Sequence, residues 1–300
     1  MKHYSLVWGD FRLTLGPRTL VMGVVNVTPD SFSDGGRFLS CDDAIAQGLR
    51  LMDEGADILD IGGESTRPFS DPVPAAEELR RVIPVIEALT RRGATPISID
   101  TTKSEVARQA LDAGASIIND VSALRVDPVM AEVAVDYDVP IILMHMLGTP
   151  KTMQTDPEYD DVVAAVCTFL RRAVEKAVQA GIGARRIIVD PGIGFGKTFA
   201  HNLQLLHNLK ALQALNCPIL VGASRKAFIR HLLKPPGEKD IRADLPIVAT
   251  GTQAAVAASA LQGAHIVRVH EVADTRATLK IIDAIRNAEN SLPGNTQGAE

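Results

Sequence analysis

From about residue 20 to residue 285, short apolar runs alternate with amphipathic helical patterns, and that alternation leaves few possible folds. The runs fall at 20–27, 58–61, 96–99, 116–118, 139–144, 186–189, 218–221 and 265–269. They are largely apolar rather than cleanly alternating, as parallel strands covered on both faces must be. Between them Ile45, Leu49 and Met52 share one helical face, as do Leu79, Val82, Ile83 and Ile86, then Val162, Val166, Phe169 and Ala173. Leu279, Ile282 and Ile285 close the series, and Pro84 should kink the second helix or mark a late start. One join recurs three times: Gly55-Ala-Asp-Ile, Gly114-Ala-Ser-Ile and Gly263-Ala-His-Ile, a glycine that stops a helix before an apolar run begins. Eight β and eight α units in strict alternation predict a single (β/α)8 barrel, the TIM barrel of the α/β class, with an open doubly wound sheet as the alternative.

Residues 4–16 read as a β-hairpin ahead of the barrel, residues 1–290 as one domain, and 291–300 as a disordered tail. A formal charge of −5 argues against nucleic acid or an anionic membrane as the main partner. Three widely spaced cysteines without a C-x-x-C suit a reducing cytoplasm, and the first residues lack the apolar core of a signal peptide. The stretch 245–267 carries no charged residue, yet its threonines, glutamines, Ser259 and His265 make it a buried helix and strand rather than a membrane span.

Barrel chemistry gathers at the C-terminal ends of the strands. In order, those ends offer Asn26, Asp60, Asp100, Asn119, His145, Asp190, Ser224 with Lys226, and Arg268 with His270. A packed core gives no reason to put such groups there, because a buried unpaired carboxylate is costly. The three aspartates could bind a metal cluster or a ligand rich in N–H donors. No H-x-x-x-H spacing supports zinc, and Asn119, both donor and acceptor, favours a flat nitrogen heterocycle. Lys226, Arg268, His270 and Arg67 supply positive charge opposite, so the expected ligand has an amide-rich ring at one end and an anion at the other. Arg268 and His270 lie two apart on one strand, where barrels often hold phosphate. The segment 192–198 ends like a P-loop, but Pro191 stands where that pattern needs glycine. Asn26-Val-Thr28 matches a glycosylation sequon by chance. Two polar, turn-rich loops, 28–37 and 62–68, are candidates to close over a substrate.

Together, the runs Val25-Asn-Val-Thr-Pro-Asp-Ser-Phe-Ser-Asp-Gly-Gly36, Asp60-Ile-Gly-Gly-Glu-Ser-Thr-Arg-Pro68, Ile118-Asn-Asp-Val121, Asp190-Pro-Gly-Ile-Gly-Phe-Gly-Lys197, Gly222-Ala-Ser-Arg-Lys226 and Arg268-Val-His270 closely resemble the dihydropteroate synthase family. The resemblance covers roughly residues 20 to 275 in the family's order. It implies a cytoplasmic barrel enzyme of folate biosynthesis, a sulfonamide target. Such an enzyme condenses 6-hydroxymethyl-7,8-dihydropterin diphosphate with 4-aminobenzoate, using Mg2+, and releases 7,8-dihydropteroate and diphosphate. On that resemblance Asp100, Asn119, Asp190 and Lys226 bind the pterin, with Asp60 beside them, and Asn26 is the Mg2+ ligand. Arg268, His270 and Thr66 meet the diphosphate; Phe32 and Phe195 wall the aminobenzoate pocket, with Arg67 and Ser224 nearby. Asp34, Lys226, Arg268 and His270 form the implied catalytic set. Asp34 faces the cation that develops as the diphosphate departs, and His270 serves as an anion partner rather than a base.

One departure is Ala227, where several members carry a hydroxyl or basic side chain; the N–H groups opening the next helix would then hold the aminobenzoate carboxylate. A barrel that transfers a methyl group from methyltetrahydrofolate, and a non-catalytic pterin-binding paralogue, are the alternatives. The first would have no use for an anion site, and turnover would separate the second. The alanine-rich pattern at 246–262 lacks a charged outer face, so a homodimer through this helix is expected, as the resemblance also implies.

Overall fold

The chain opens with the expected hairpin, β1 (Tyr4–Trp8) and β2 (Phe11–Leu15), paired antiparallel with Trp8 opposite Phe11. Eight strands follow: β3 (Leu20–Asn26), β4 (Ile58–Gly62), β5 (Ile97–Asp100), β6 (Ile117–Asp120), β7 (Ile141–Met144), β8 (Ile187–Asp190), β9 (Leu220–Val221) and β10 (Ile266–Val269). All pair in parallel, in the order β8-β7-β6-β5-β4-β3-β10-β9. A parallel bridge between Val189 and Ile219 joins the two ends, so the sheet closes into the (β/α)8 barrel. The computed structural model describes residues 1–28, 41–65, 70–93 and 95–288; the expected tail at 291–300 lies outside them.

The outer layer comprises α1 (Cys41–Asp53), α2 (Ala75–Thr90), α3 (Ser104–Asp112), α4 (Met130–Asp136), α5 (Val162–Gln179), α6 (Phe199–His207), α7 (Ala227–Leu233), α8 (Pro246–Leu261) and α9 (Val272–Asn287). No helix among the described residues is long and apolar enough to cross a membrane. The recurring glycine join has one geometry throughout. Gly55, Gly114 and Gly263 take φ of 91°, 111° and 100°, a region open to glycine without a Cβ clash. In each case the next amide, of Ala56, Ala115 or Ala264, donates to a carbonyl five residues back, which caps the helix and turns the chain into the barrel.

The helical faces differ in detail from the periodicity. The deepest face of α1 is Ala44, Gly48 and Leu51, while Ile45, Leu49 and Met52 flank it, half-buried. A Cβ on Gly48 would lie 2.5 Å from Leu89 Cδ1, so glycine lets α1 and α2 pack closely. Pro84 sits inside α2, which starts nine residues earlier, at Ala75. The run read at 116–118 extends as β6 to Asp120, which brings Asn119 into the strand itself.

The hairpin covers the N-terminal face of the barrel, opposite the strand ends that carry the polar groups. Its inward residues Leu6, Trp8, Leu13 and Leu15 are buried. His265, fully buried just before β10, ties that face together: its Nδ1 accepts from the Ile219 amide (3.0 Å) and its Nε2 lies 3.0 Å from the Lys2 carbonyl. The ring is therefore neutral, with its proton on Nε2, and burial lowers its pKa from 6.5 to about 4. Between those values the unfolded chain binds a proton that the folded chain refuses, so this residue's contribution to stability falls as pH drops through that window. His265→Asn, which keeps an acceptor for Ile219 but cannot titrate, should lose less stability than wild type between pH 6.5 and pH 4 in urea unfolding.

Candidate active site

Asp60, Asp100, Asn119 and Arg268 meet in one hydrogen-bonded cluster at the C-terminal mouth. Asp60 and Asp100 come from neighbouring strands, β4 and β5, and both side chains are buried. Arg268, from β10, reaches across the mouth: its Nε donates to Asp60 Oδ2 (2.6 Å) and its Nη2 to Asp100 Oδ2 (2.9 Å). Asn119 Nδ2 donates to the same Asp60 Oδ2 at 3.1 Å. Each carboxylate keeps a buried Oδ1 with no hydrogen-bond partner. Two spare buried acceptors suit the N–H edge of a planar heterocycle. Burial and the adjacent charge of Asp60 push Asp100 up to about 7, against the pull of Arg268.

Asp190 ends β8 and accepts from the Gly192 amide at 2.7 Å. Burial raises it to about 6, opposed by that amide and by the charges of Lys226, Lys197 and Arg268. The ammonium of Lys226 lies 4.0 Å from the Phe195 ring centroid, a cation–π contact, and its charge also acts on Asp100. Arg225, between Ser224 and Lys226, adopts the left-handed region at φ 56°, and its side chain pairs with Glu271. Ser224 Oγ lies 2.9 Å from His270 Nδ1, which joins the serine to the histidine beyond β10. Asn26 ends β3 with its side chain exposed. Among the described residues no group of three His, Cys, Asp or Glu could hold a metal, which ends the metal-cluster reading of the aspartates. Phe32, Asp34, Thr66 and Arg67 lie outside the described residues.

Arg268 and His270 were expected to act as a pair on an anion. In the structure two of the guanidinium's five N–H groups go to the Asp60 and Asp100 carboxylates, which leaves three for an anion. Sequence reasoning also passed over what holds the loop after β8. Lys197, discarded with the P-loop look-alike, is buried beside His145. Asn202 Oδ1 accepts from the Gly194 amide (2.7 Å), Gln154 Nε2 donates to the Gly194 carbonyl (2.9 Å), and the Tyr159 hydroxyl donates to the Gly196 carbonyl (2.7 Å). A lysine directly after a glycine-rich run was the one visible signal.

A family model described as "pterin binding enzyme" matches residues 22–270. The dihydropteroate synthase of Escherichia coli strain K12 is 44% identical over 272 residues, covering 90% of this chain and 93% of that protein. The chain belongs to the dihydropteroate synthase family. The family's barrel recurs in solved structures. A Yersinia pestis dihydropteroate synthase, crystallised as a sulfonamide drug complex, has a TM-score of 0.86 at 42% identity, covering 95% of this chain and 99% of that one. A Xanthomonas albilineans dihydropteroate synthase with 4-aminobenzoic acid has a TM-score of 0.83 at 48% identity, with the same coverages. As a dihydropteroate synthase by family, this chain is a transferase of folate biosynthesis, and the methyl-transfer alternative falls away.

Removing the shared cation should expose how strained the carboxylate pair is. Arg268→Met should destabilise the fold by about 3–5 kcal/mol in urea unfolding at pH 8, because two buried carboxylates lose their partner. Adding Asp60→Asn should restore most of that loss.

Proposed function

We propose that this barrel mouth condenses 6-hydroxymethyl-7,8-dihydropterin diphosphate with 4-aminobenzoate, forming 7,8-dihydropteroate and releasing diphosphate. The observation that carries this reading is the pair of spare buried oxygens on Asp60 and Asp100, set beside Asn119 and bridged by Arg268. The carboxylates of Asp100 and Asp190, with the spare oxygen of Asp60 beside them, accept from the pterin's amino and ring N–H groups, while Asn119 and Lys226 donate to its ring acceptors. Asp60 orients Asn119 and Arg268 through Oδ2. The remaining N–H groups of Arg268, with His270, meet the diphosphate and stabilise the charge that grows on it as its bond to the pterin methylene breaks. The electron-rich dihydropterin shares the positive charge left on that carbon. The arylamine attacks there and gives up its proton without needing a strong base. Phe195 walls the aminobenzoate pocket, which sulfonamides of similar size and charge would also enter. On the strength of the family resemblance, Asp34 serves the developing cation, Thr66 the diphosphate, and Phe32 and Arg67 the aminobenzoate.

Asn26 presents an exposed amide oxygen at the end of β3, and no cluster of anionic ligands accompanies it among the described residues. That donor set fits Mg2+ delivered with the diphosphate, since this ion keeps several waters and takes one or two protein ligands beside phosphate oxygens. When bound, Mg2+ neutralises part of the leaving group's charge. Purified protein given both substrates and Mg2+ should form 7,8-dihydropteroate and equimolar diphosphate, with a loss of at least about tenfold in rate when the metal is chelated. No product with both substrates and Mg2+ present would overturn the reading.

The three cysteines are free, as a cytoplasmic enzyme's would be, and we place the reaction there. The partner we propose is a second copy of this chain. A groove of about 550 Å³ between α6, α7 and α8 is lined by Leu206, Phe228, Leu232, Leu233, Ala254 and Ala258, among others. Its small residues let another helix approach, and a two-fold contact is self-complementary. Ala255 is buried at 8% exposure while Ala258 is exposed, so Ala258 is the position to probe. Ala258→Glu should run as a monomer in light scattering where wild type runs as a dimer, and a monomeric wild type at micromolar concentration would end the proposal.

A further inference from the structure

Lys197 has no part in the chemistry above, yet its side chain is buried at 2% exposure and its hydrogen-bond partners are all neutral. The ammonium donates to the carbonyls of Gly192 (2.8 Å) and Phe195 (2.8 Å), and lies 2.9 Å from His145 Nδ1. With the His145 carbonyl at 3.4 Å as well, each of its three protons has an acceptor within reach. Burial lowers the lysine's pKa to about 7, opposed by the Asp190 charge, and lowers His145 to about 3, so the imidazole is a neutral acceptor. Taking an ammonium out of water without a counter-ion in contact costs several kcal/mol, whereas methionine would fill the same space at no such cost. The packing of the core alone gives no reason for a lysine here.

What the ammonium does is close a turn. Gly192 O accepts both from Lys197 Nζ and from the Phe195 amide (3.0 Å), so the 192–195 turn is tied from two sides. The turn is also pressed against its surroundings. A Cβ on Gly192 would stand 1.9 Å from the His145 carbonyl oxygen, and one on Gly194 would stand 2.9 Å from Lys226 Cδ. Lys226 thus runs along the bare face of Gly194 and ends over the Phe195 ring. Any drift of this turn moves Phe195 and the Lys226 ammonium together.

We propose that Lys197 is a positioning residue whose caged ammonium clips the 192–195 turn, and so holds Phe195 and Lys226 at their places in the mouth. Its effect on substrates rests on the pterin and aminobenzoate reading given above. The clip itself can be read without substrate: amide hydrogen exchange at 192–196 should quicken in Lys197→Met, and unchanged exchange would overturn the proposal whatever the enzyme's substrate. In turnover, Lys197→Met should raise KM for 4-aminobenzoate about tenfold with a smaller change in kcat, the scale seen when a supporting contact is lost. Lys197→Gln, which keeps two N–H donors, should fall between that variant and wild type. The deciding measurement is the double variant with Phe195→Ala. If Lys197 acts through the turn, its removal adds less than about twofold in that background, whereas a residue serving general stability would add its full effect. Should Lys197→Met fail to fold, Lys197→Gln enters the same cycle. A KM within about twofold of wild type, or effects that simply multiply with those of Phe195→Ala, would sink the assignment.

Discussion

Two carboxylates shut away from water on adjacent strands cannot both stay charged unless a cation is shared between them. Asp60 and Asp100 stand in that position, and Arg268 is the shared cation. The guanidinium leaves β10 and crosses past β3 to reach β4 and β5, so one side chain links strands that are not neighbours in the sheet. The arrangement works only because the sheet closes into a ring. In an open sheet the end of β10 and the end of β5 would not face each other over a common mouth. Barrel closure, the buried acidic floor and the cross-mouth arginine therefore stand or fall together.

Around that centre the support is built differently on each side. The N-terminal face is plugged by the hairpin's apolar residues and pinned by the neutral imidazole of His265. The mouth, in contrast, holds its backbone with polar side chains. Asn202, Gln154, Tyr159 and Lys197 all bond to main-chain groups of the 192–196 segment. Loops that line a pocket have few apolar contacts to hold them, so side-chain hydrogen bonds take over that task. The loop also has two apolar footings: Ile193 packs into the main core, and Phe195 joins a small separate cluster with Val121, Met144, Met146 and Met153.

Much of this was visible in the linear chain. The eight apolar runs, the helical spacings and the repeated glycine join announce the barrel, because each follows from local geometry: the strand's burial on two faces, the helix period and the left-handed cap. The polar residues at the strand ends were equally legible, since a packed barrel core has no other use for them. Arg268 shows where such reading stops. Its two-residue spacing from His270 suggests a shared strand face, yet β10 ends at Val269, and spacing says nothing about which opposing group a long flexible side chain will choose. The attraction of the buried Asp60 and Asp100 carboxylates fixes its place, and those two residues become neighbours of Arg268 only in the folded ring.

Lys197 marks the same boundary from the other side. A lysine in a glycine-rich run looks, in sequence, like a phosphate ligand or a solvated surface charge. Only tertiary packing brings His145 and the carbonyls of Gly192 and Phe195 around its ammonium, and only there does burial turn a surface residue type into an internal clip. The sequence by itself determined the barrel, its hairpin, the identity of the polar groups at the mouth and the family to which they belong, because pattern and local conformation are carried by neighbouring residues. The folded structure alone decided which charges pair, which oxygens remain unpartnered and which protons are held, because those depend on distance and dielectric between groups far apart in the chain.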